Sequence, residues 1–560
     1  MSYNKYFSFV AVLSVCFLVS TNSHIINAQK SEVGIFEPVE GLKTVYVYEN
    51  SDMSAIFGSQ NTRFVISKDI NLLGKTVNIG AFSVLDFQGG SISNGTIVLS
   101  ESNEIVGIPR LYTSFAGTYT RTVDISWFIT EQERLTDASK KMTDICSFFK
   151  HIKSDGRTYY LSHQVNMDSM EDINLNSEFR YNGKDKNISV FYISSSQRAN
   201  FYIKKVIHNS GPGGSNSKNL INDTDNIIGV NIVNADDCYI KTDFIYCFNE
   251  GLRLSAINHQ PFSYNKIYPG EIVDCNRGIR VFQDTGGWAN ENYFYGGRLF
   301  IDTPAKRMGM KKVVAIHIEG AGKSDTYNRV DALSFTDFCV EGYKSCLGYT
   351  IYVKNAAFCS FNRFRNEGGD YLIKFVGRCF NNSYSLSYFE DEAREDTRKS
   401  LLVDISECTS GVLTPESFTR RLDKPTDSLF LFKMNNNGYT LLSKMGTYND
   451  VPMSEVVGYV VNVTTLRERL IGIECNKPTI LKVQYISDSK GNKISNKTVV
   501  SNFRAPNHLF SIDKNRFGYT CDANGIYRTV LNIPENIGEI FVGYIKEIEQ
   551  ETVINFYSRF

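Results

Sequence analysis

The chain has 560 residues, enough for two or three domains. Its 60 Lys and Arg residues balance its 60 Asp and Glu residues, so net charge favours neither nucleic acid nor an acidic partner. Abundant Tyr and Phe with few Pro residues suit many short strands and exclude a disordered chain.

The N-terminus has the order of features found in an export signal. Lys5 gives a weak basic start, and an apolar run of eleven residues from Phe9 to Val19 is too short to span a bilayer. We expect cleavage after Ala28, which removes residues 1–28 and leaves a periplasmic, surface or secreted protein. The alternative is a lipoprotein signal at Cys16, whose flanking residues match that motif poorly. No later segment is apolar enough to form an integral membrane segment.

Two short regions precede the repetitive part of the chain. Short strand-like segments with Gly and Asn turns, such as Leu85 to Ile97, predict an N-terminal β cap and first coils over residues 29–125. Residues 126–165 predict a connecting strand and a helix. A single amphipathic helix is expected over 131–154, because apolar residues recur there at three- and four-residue steps.

Two short patterns recur from about residue 227. The first is Gly, apolar, polar, apolar, as in Gly229–Ile232, and the second is Asn, any residue, apolar, as in Asn265–Ile267. Successive copies of the first pattern lie 22 residues apart from Asn231 to Arg253 and 27 apart from Arg253 to Arg280. Later copies carry insertions. A leucine-rich repeat lacks support because its Leu framework is missing, and propeller blades are longer.

Short strands at this period predict stacked coils, since a single turn cannot bury its own inner face. The fold class is therefore all-β, with a right-handed parallel β-helix over residues 166–413. Asn residues at a fixed point of successive coils are expected to stack at a corner. The residues expected to stack in the lumen are Ile240, Ile267, Phe294, Val330 and Phe364.

The pattern stops near residue 414. Strand-like segments continue to the C-terminus and are separated by turn signals such as Asn435–Gly438 and Asn524–Gly525. These features predict an antiparallel β-sandwich over residues 414–560.

The repeats resemble the pectate-lyase-like β-helix superfamily. The resemblance rests on Tyr264 to Val281 and Gly286 to Gly297, and Leu85 to Ile97 resembles the N-terminal coils of exported gut-bacterial polysaccharide lyases. It covers roughly residues 80–410 and implies this fold and a polysaccharide-degrading activity. Many members carry a Gly-Asp-Gly turn before their first helix, which is missing around Asp124 to Phe128. No catalytic residue is therefore carried over from that motif.

Outward-facing residues of the two patterns should form columns along the coil axis, because alternate residues of a strand point to opposite faces. The first column is rich in cations and aromatic rings, and Glu319 and Lys354 lie two positions further along their strands. Its members are Asn231, Arg253, Arg280, His317, Tyr352 and Lys374. The second column comprises Tyr239, Lys266, Tyr293, Arg329 and Arg363.

The first column supplies the residue types that β-elimination of a uronate-containing polysaccharide needs: a carboxylate neutraliser, a base and an acid. The predicted catalytic residues are His317, Tyr352, Arg280 and Lys374. Glycoside hydrolysis by Glu319 with Asp331 or Asp284 is the alternative. A non-catalytic carbohydrate-binding or adhesive β-helix is the third hypothesis.

The predicted partner is an acidic polysaccharide, because Arg binds carboxylate and sulfate groups in a bidentate manner. A glycosaminoglycan of chondroitin or hyaluronan type is preferred to pectin, and no nucleic acid is expected. The predicted substrate-binding residues are Arg253, Glu319, Lys354, Lys266, Tyr293, Arg329 and Arg363. The sequence shows no metal-ligand cluster and no certain cofactor, although calcium is left open. The cysteines are expected to be buried free thiols.

Overall fold

A computed structural model describes residues 41–48, 52–208, 225–301, 313–322, 330–342, 347–367, 371–379 and 382–390, with shorter segments between 401 and 558. The expected export signal lies outside the described residues. In the described part, sheets built from parallel strands form stacked coils, which confirms the predicted all-β parallel β-helix.

Parallel pairing begins at the first described strand. Two four-stranded sheets form the N-terminal coils. One sheet contains Lys43–Tyr46, Thr62–Ile66, Val84–Phe87 and Glu104–Gly107, and the other contains Ile70–Asn71, Thr76–Asn78, Ile92–Leu99 and Leu111–Gly117. A short helix, Met53–Phe57, lies between the first two strands of the former sheet.

The connecting region contains two helices where the sequence predicted one. They are Glu131–Thr136 and Ser139–Phe148, preceded by a 3-10 turn over Ile125–Trp127. The prediction of a single helix is wrong because Asp137 adopts an extended conformation and its carboxylate accepts from the Ser139 N–H at 3.0 Å. A side chain that accepts from a backbone N–H two residues ahead favours the start of a helix over its interior.

The coils of the central region contribute strands to two long sheets, and four strands form a further short sheet. The parallel strands of the first long sheet are Val165–Asp168, Ser189–Ser194, Ile228–Val233, Glu250–Ala256, Arg277–Gln283, Val313–Glu319, Leu347–Lys354, Tyr371–Arg378, Leu401–Ser410 and Leu429–Met434. Those of the second are Val123–Asp124, His151–Lys153, Thr158–Leu161, Asp172–Tyr181, Asn200–His208, Tyr239–Tyr246, Lys266–Tyr268, Glu271–Val273, Tyr293–Tyr295, Arg298–Ile301, Ser334–Thr336, Cys339–Gly342, Ser360–Glu367, Asn382–Glu390 and Leu413–Phe418. The short sheet contains Pro261–Ser263, Trp288–Asn290, Val330–Asp331 and Ala356–Ala357.

Parallel pairing continues through Leu413–Phe418 and Leu429–Met434, past the boundary expected near residue 414, and antiparallel pairing begins after these strands. One set of strands extends the first long sheet: Ile554–Ser558, Leu470–Cys475, Tyr527–Asn532 and Tyr519–Cys521. A separate sheet contains Val456–Asn462, Ile537–Ile545, Thr479–Asp488 and Thr498–Phe503, and a hairpin joins Thr447–Tyr448 to Val451–Pro452.

The glycine of the first pattern faces the lumen and has no room for a side chain. A Cβ atom on Gly251 would lie 2.7 Å from the Cγ2 atom of Ile272 and 2.8 Å from the carbonyl oxygen of Gly278. Both distances are shorter than van der Waals contact, and one neighbour is backbone. Close packing between successive strands therefore explains why this pattern begins with glycine.

The asparagine of the second pattern forms a buried ladder at a corner of the coil. The Asn265 side-chain amide donates to the Oδ1 atom of Asn292 at 2.8 Å, and its own Oδ1 accepts from the Cys238 N–H at 2.9 Å. The Asn292 amide donates to the Phe262 carbonyl at 2.7 Å. These bonds satisfy backbone groups that the turn would leave unpaired.

The lumen stack follows the prediction through three coils and then departs from it. Ile240, Ile267 and Phe294 are directly opposite one another, but the next members are Phe335 and Phe361. The places predicted for Val330 and Phe364 are therefore wrong, although both residues are buried elsewhere in the core. Asn362 lies on a strand opposite Thr336 and not at the buried corner, and Asn328 lies outside the described residues.

The cysteines of the described residues are free, as expected. Cys247, Cys275 and Cys359 are buried, and burial raises the pKa of the Cys247 thiol to about 12. Such thiols act as small apolar side chains. No helix in the described part of the chain has the length and apolar character needed to cross a membrane.

Candidate functional site

The first predicted column is present in the register that the sequence indicated. Arg253, Arg280, His317, Tyr352 and Lys374 occupy directly opposed positions on five successive strands of the first long sheet. Each lies between two lumen-facing residues, so these side chains share the outer face of one sheet.

A buried carboxylate that the sequence analysis missed organises the arginines of this face. Glu250 is fully buried, and its carboxylate lies 2.7 Å from Arg253, 3.2 Å from Arg277 and 2.8 Å from Arg280. One negative charge thus holds three guanidinium groups together. Glu250 and Arg277 both stand immediately before the glycine of the first pattern, which is the signal that could have revealed them.

Glu319 forms a second ionic centre on the same face. Its carboxylate accepts from the Arg280 Nη2 atom at 2.7 Å and from the Lys354 Nζ atom at 3.1 Å. Partial burial alone would raise the pKa of Glu319, but these hydrogen bonds and charges hold it below its ordinary value. Glu319 is therefore ionised at neutral pH and is tied to two cations.

His317 is neutral, and its tautomer follows from its hydrogen bond. Burial, together with the charges of Arg280 and Arg277, lowers the pKa of His317 to about 3. The Arg277 Nε–H donates to the His317 Nδ1 atom at 3.0 Å, and a guanidinium cannot accept, so the imidazole proton is on Nε2. Among the described residues this buried Nε2 has no hydrogen-bond partner, and it lies 3.7 Å from Glu319.

Aromatic rings flank the histidine. The His317 and Tyr352 rings are perpendicular with centroids 4.9 Å apart, and the Tyr349 ring lies 5.7 Å from that of Tyr352. Lys374 lies over the Tyr349 ring at 5.7 Å, and Arg280 lies over the Phe282 ring at 5.0 Å. The rings exclude water from one side of the ionic network, which strengthens its electrostatic interactions.

We call this set of residues the cationic face. It combines five cations with two carboxylates, so positive charge is in excess. Its members are Glu250, Arg253, Arg277, Arg280, His317, Glu319, Tyr349, Tyr352, Lys354 and Lys374.

The second predicted column lies on the second long sheet, away from the cationic face. Tyr239, Lys266 and Tyr293 are directly opposed as predicted. The next two members are Ser334 and Ser360, in place of the predicted Arg329 and Arg363.

The two predicted arginines of that column have different outcomes. Arg363 does not occupy its predicted place in the column, which Ser360 takes. Its side chain instead pairs with Asp337. Arg329 lies outside the described residues.

The carboxylates considered for hydrolysis do not gather around Glu319. Asp284 accepts from the Asn258 and Gly287 N–H groups in a turn, at 3.1 Å and 3.3 Å. Asp331 lies on the short sheet opposite Asn290. Within the described segments, no group of three or more His, Cys, Asp and Glu side chains is placed to hold a metal ion.

Comparisons with known proteins give structural neighbours only. No protein-family model matches the chain, and no curated protein matches it in sequence. A double mutant of the tailspike protein of E. coli bacteriophage HK620, solved with a pentasaccharide, is 11% identical with a TM-score of 0.37, covering 92% of this chain and 85% of that one.

Two further neighbours are also phage tailspikes. A tailspike of Acinetobacter baumannii bacteriophage Fri1, described as a capsular polysaccharide depolymerase, is 10% identical with a TM-score of 0.30, covering 73% of this chain and 79% of that one. The enzymatically active domain of bacteriophage CBA120 tailspike protein 4 is 11% identical with a TM-score of 0.24, covering 90% and 65%.

Proposed function

We propose that this protein is a lyase that cleaves a uronate-containing acidic polysaccharide by β-elimination at the cationic face. The observation that carries the proposal is the neutral His317. Its buried Nε2–H lacks a partner among the described residues, and it stands between the Arg280–Glu319 network and Tyr352. A buried donor without a partner is costly unless a ligand completes it.

The excess charge suits a polymer that carries a carboxylate or sulfate on each sugar or disaccharide. Successive strands lie about 4.8 Å apart, so one extended sugar unit spans roughly one coil. Cations on Arg253, Arg280 and Lys374 then recur along the polymer, and the planar guanidinium groups suit oxyanions. Within this class we propose a glycosaminoglycan of chondroitin or hyaluronan type ahead of pectin.

In the proposed reaction the uronate carboxylate accepts a hydrogen bond from the His317 Nε2–H, and the positive charge of Arg280 neutralises it further. Neutralising that charge makes the C5 proton more acidic. The Tyr352 oxygen, as phenolate, takes the C5 proton, and the C–H electron pair forms the C4–C5 double bond. The bond from C4 to the glycosidic oxygen breaks, and that oxygen recovers the proton from Tyr352.

His317 is not the base in this scheme. An imidazole whose pKa is about 3 and whose outer nitrogen already carries a proton is a poor proton acceptor. The phenol of Tyr352 is the remaining candidate, and Lys374 occupies the directly opposed position on the next strand.

Hydrolysis is less well supported by the same geometry. It needs one carboxyl group that keeps a proton and one that is ionised. On the cationic face, among the described residues, Glu250 is bound to three guanidinium groups, and Glu319 is ionised at neutral pH because its pKa is lowered.

The test is incubation of the purified protein with chondroitin sulfate, hyaluronan and polygalacturonate while following the ultraviolet absorbance of unsaturated uronates. A rise with at least one polymer supports the proposal. Chain shortening without that absorbance contradicts it and favours hydrolysis by Glu319, and binding without shortening favours a carbohydrate-binding protein.

We also propose that the protein is exported after cleavage near Ala28. The support is the order of charged, apolar and small residues at the N-terminus. N-terminal sequencing of the protein from its native cells should begin near Gln29. A sequence that still begins at Met1 would contradict export, and acylation at Cys16 would instead indicate a lipoprotein.

A further inference from the structure

The second long sheet carries a ladder of tyrosines on its outer surface. The rings of Tyr239, Tyr268 and Tyr295 come from three successive coils, with centroids 5.0 Å and 5.3 Å apart and interplanar angles of 34° and 25°. Tyr293 lies beside Tyr295 on the same strand. We call these four residues the tyrosine face.

The tyrosine face is accessible. Tyr239 is 41% exposed, and Tyr293 and Tyr295 are each 40% exposed. The Tyr268 ring lies between those of Tyr239 and Tyr295 and packs against both. Exposed aromatic groups gathered on one surface are typical of binding sites, whereas single exposed groups are ordinary. A tyrosine offers an apolar ring and a polar hydroxyl, so its preferred partner has both kinds of surface.

Lys266 lies on the sheet between Tyr239 and Tyr293, and the other charges around the tyrosine face are paired, in contrast with the cationic face. Lys241 lies 5.0 Å from the Tyr202 ring and 3.5 Å from an Asp243 oxygen. Further along the sheet, Arg298 lies 3.0 Å from Glu271 and 2.7 Å from Glu341. Recognition here would therefore depend on ring stacking and hydroxyl hydrogen bonds more than on charge.

We propose that the tyrosine face is a second polysaccharide-binding surface, separate from the cationic face. Its rings repeat along the coil axis at 5.0 and 5.3 Å, which matches roughly one pyranose unit per coil, about 5 Å. Pyranose rings present C–H surfaces to aromatic rings and hydroxyl groups to phenols. The identity of the polymer rests on the proposed function, but the existence of the surface does not.

Such a surface would hold the polymer near the protein while another segment occupies the cationic face. Two linked binding events raise the overall affinity for long chains without new contacts at either surface. The two surfaces should differ in one measurable respect. Added salt screens binding at the cationic face and leaves binding at the tyrosine face nearly unchanged.

The experiment measures affinity for long-chain chondroitin sulfate, hyaluronan and polygalacturonate at low and high salt. It compares Arg280→Ala with the same protein that also carries Tyr239→Ala and Tyr295→Ala. We expect Arg280→Ala to retain salt-insensitive binding and the two added substitutions to weaken it by roughly tenfold. Tyr46→Ala, at a tyrosine 58% exposed on the first coils, is the matched control and should change nothing.

Several results would overturn the proposal. One is an unchanged affinity when Tyr239→Ala and Tyr295→Ala are added. Another is that Arg280→Ala shows no salt-insensitive binding to any of the three polymers. A change in sedimentation without a change in affinity would mean that the tyrosine face joins two copies of the chain. Tyr295→Phe keeps the ring and removes the hydroxyl, so it separates the contribution of the ring from that of the hydroxyl. A thermal unfolding curve of each variant shows whether the fold is retained. Because binding is read without cleavage, failure of the lyase proposal would leave this outcome intact.

Discussion

His317 shows how a neighbouring residue decides what a side chain can do. An isolated histidine titrates near pH 6.5 and serves as a base at neutral pH. In this protein the Arg277 Nε–H occupies Nδ1, and burial beside two guanidinium groups lowers the pKa of His317 to about 3. The imidazole is thereby kept as a hydrogen-bond donor over the whole physiological range.

This state predicts a specific pH dependence. Because His317 stays neutral until the pH approaches 3, its protonation should not reduce kcat/KM as the pH falls through the ordinary histidine range. The measurement is kcat/KM from about pH 4 to 8 for the wild type and His317→Gln. His317→Gln retains a donor, so the profile should keep its shape at a lower level. An acidic limb near pH 6.5 that vanishes in the variant would show that His317 acts as a base.

Tyr352 is the residue on which the proposed chemistry depends. Tyr352→Phe removes the oxygen that moves the proton and keeps the ring beside His317, so turnover should fall by about 10²–10⁴ with little change in polymer affinity. Tyr349→Phe, a neighbouring ring on the same face, is the control and should lose much less. Near-normal turnover in Tyr352→Phe would remove Tyr352 from the mechanism.

At the scale of elements, the first sequence pattern predicted the strand register of the outer column, whereas the second pattern predicted the lumen stack only in part. Alternation along each strand placed Arg280, His317 and Tyr352 in one outward-facing column from the sequence alone. In the observed register the strands pack closely at Gly251 and Gly278, where a Cβ atom would lie 2.8 Å and 2.7 Å from a backbone oxygen of the next strand.

The second pattern failed where insertions lengthened the coils. Two letters and a spacing cannot distinguish Asn292, which is buried in a ladder, from Asn362, which lies opposite Thr336 on a strand. Glu250 was missed for a different reason. Its carboxylate binds Arg253 of its own strand and Arg277 and Arg280 of the next strand, and its position before the pattern's glycine does not by itself show that all three converge on it.

Gly251→Ala tests the packing that sets the register. The added methyl group would lie 2.8 Å from the Gly278 carbonyl oxygen, a backbone atom that cannot move without disturbing the ladder. We expect the free energy of unfolding to fall by about 1–3 kcal/mol, measured by denaturant titration. Equal stability of variant and wild type would show that the strands are not packed this closely.

For the molecule as a whole, a long β-helix offers two outer sheet surfaces of opposite character. The first long sheet gathers charge around Glu250 and Glu319, and the second gathers exposed tyrosines with balanced charges. A polymer is the kind of ligand that can use both, because both surfaces repeat with the coil. The balanced composition of the chain conceals this local separation of charge, which arises only when the strands are stacked.

The central claim is that the cationic face cleaves a polysaccharide by elimination, and the fate of solvent oxygen tests it most directly. The polymer that the protein degrades is digested in ¹⁸O-labelled water, and the masses of the products are measured by mass spectrometry. Elimination breaks the bond without adding water, so we predict products that carry no label and are lighter than hydrolysis products by one water. Incorporation of one labelled oxygen atom per cleaved bond would contradict the account and establish hydrolysis.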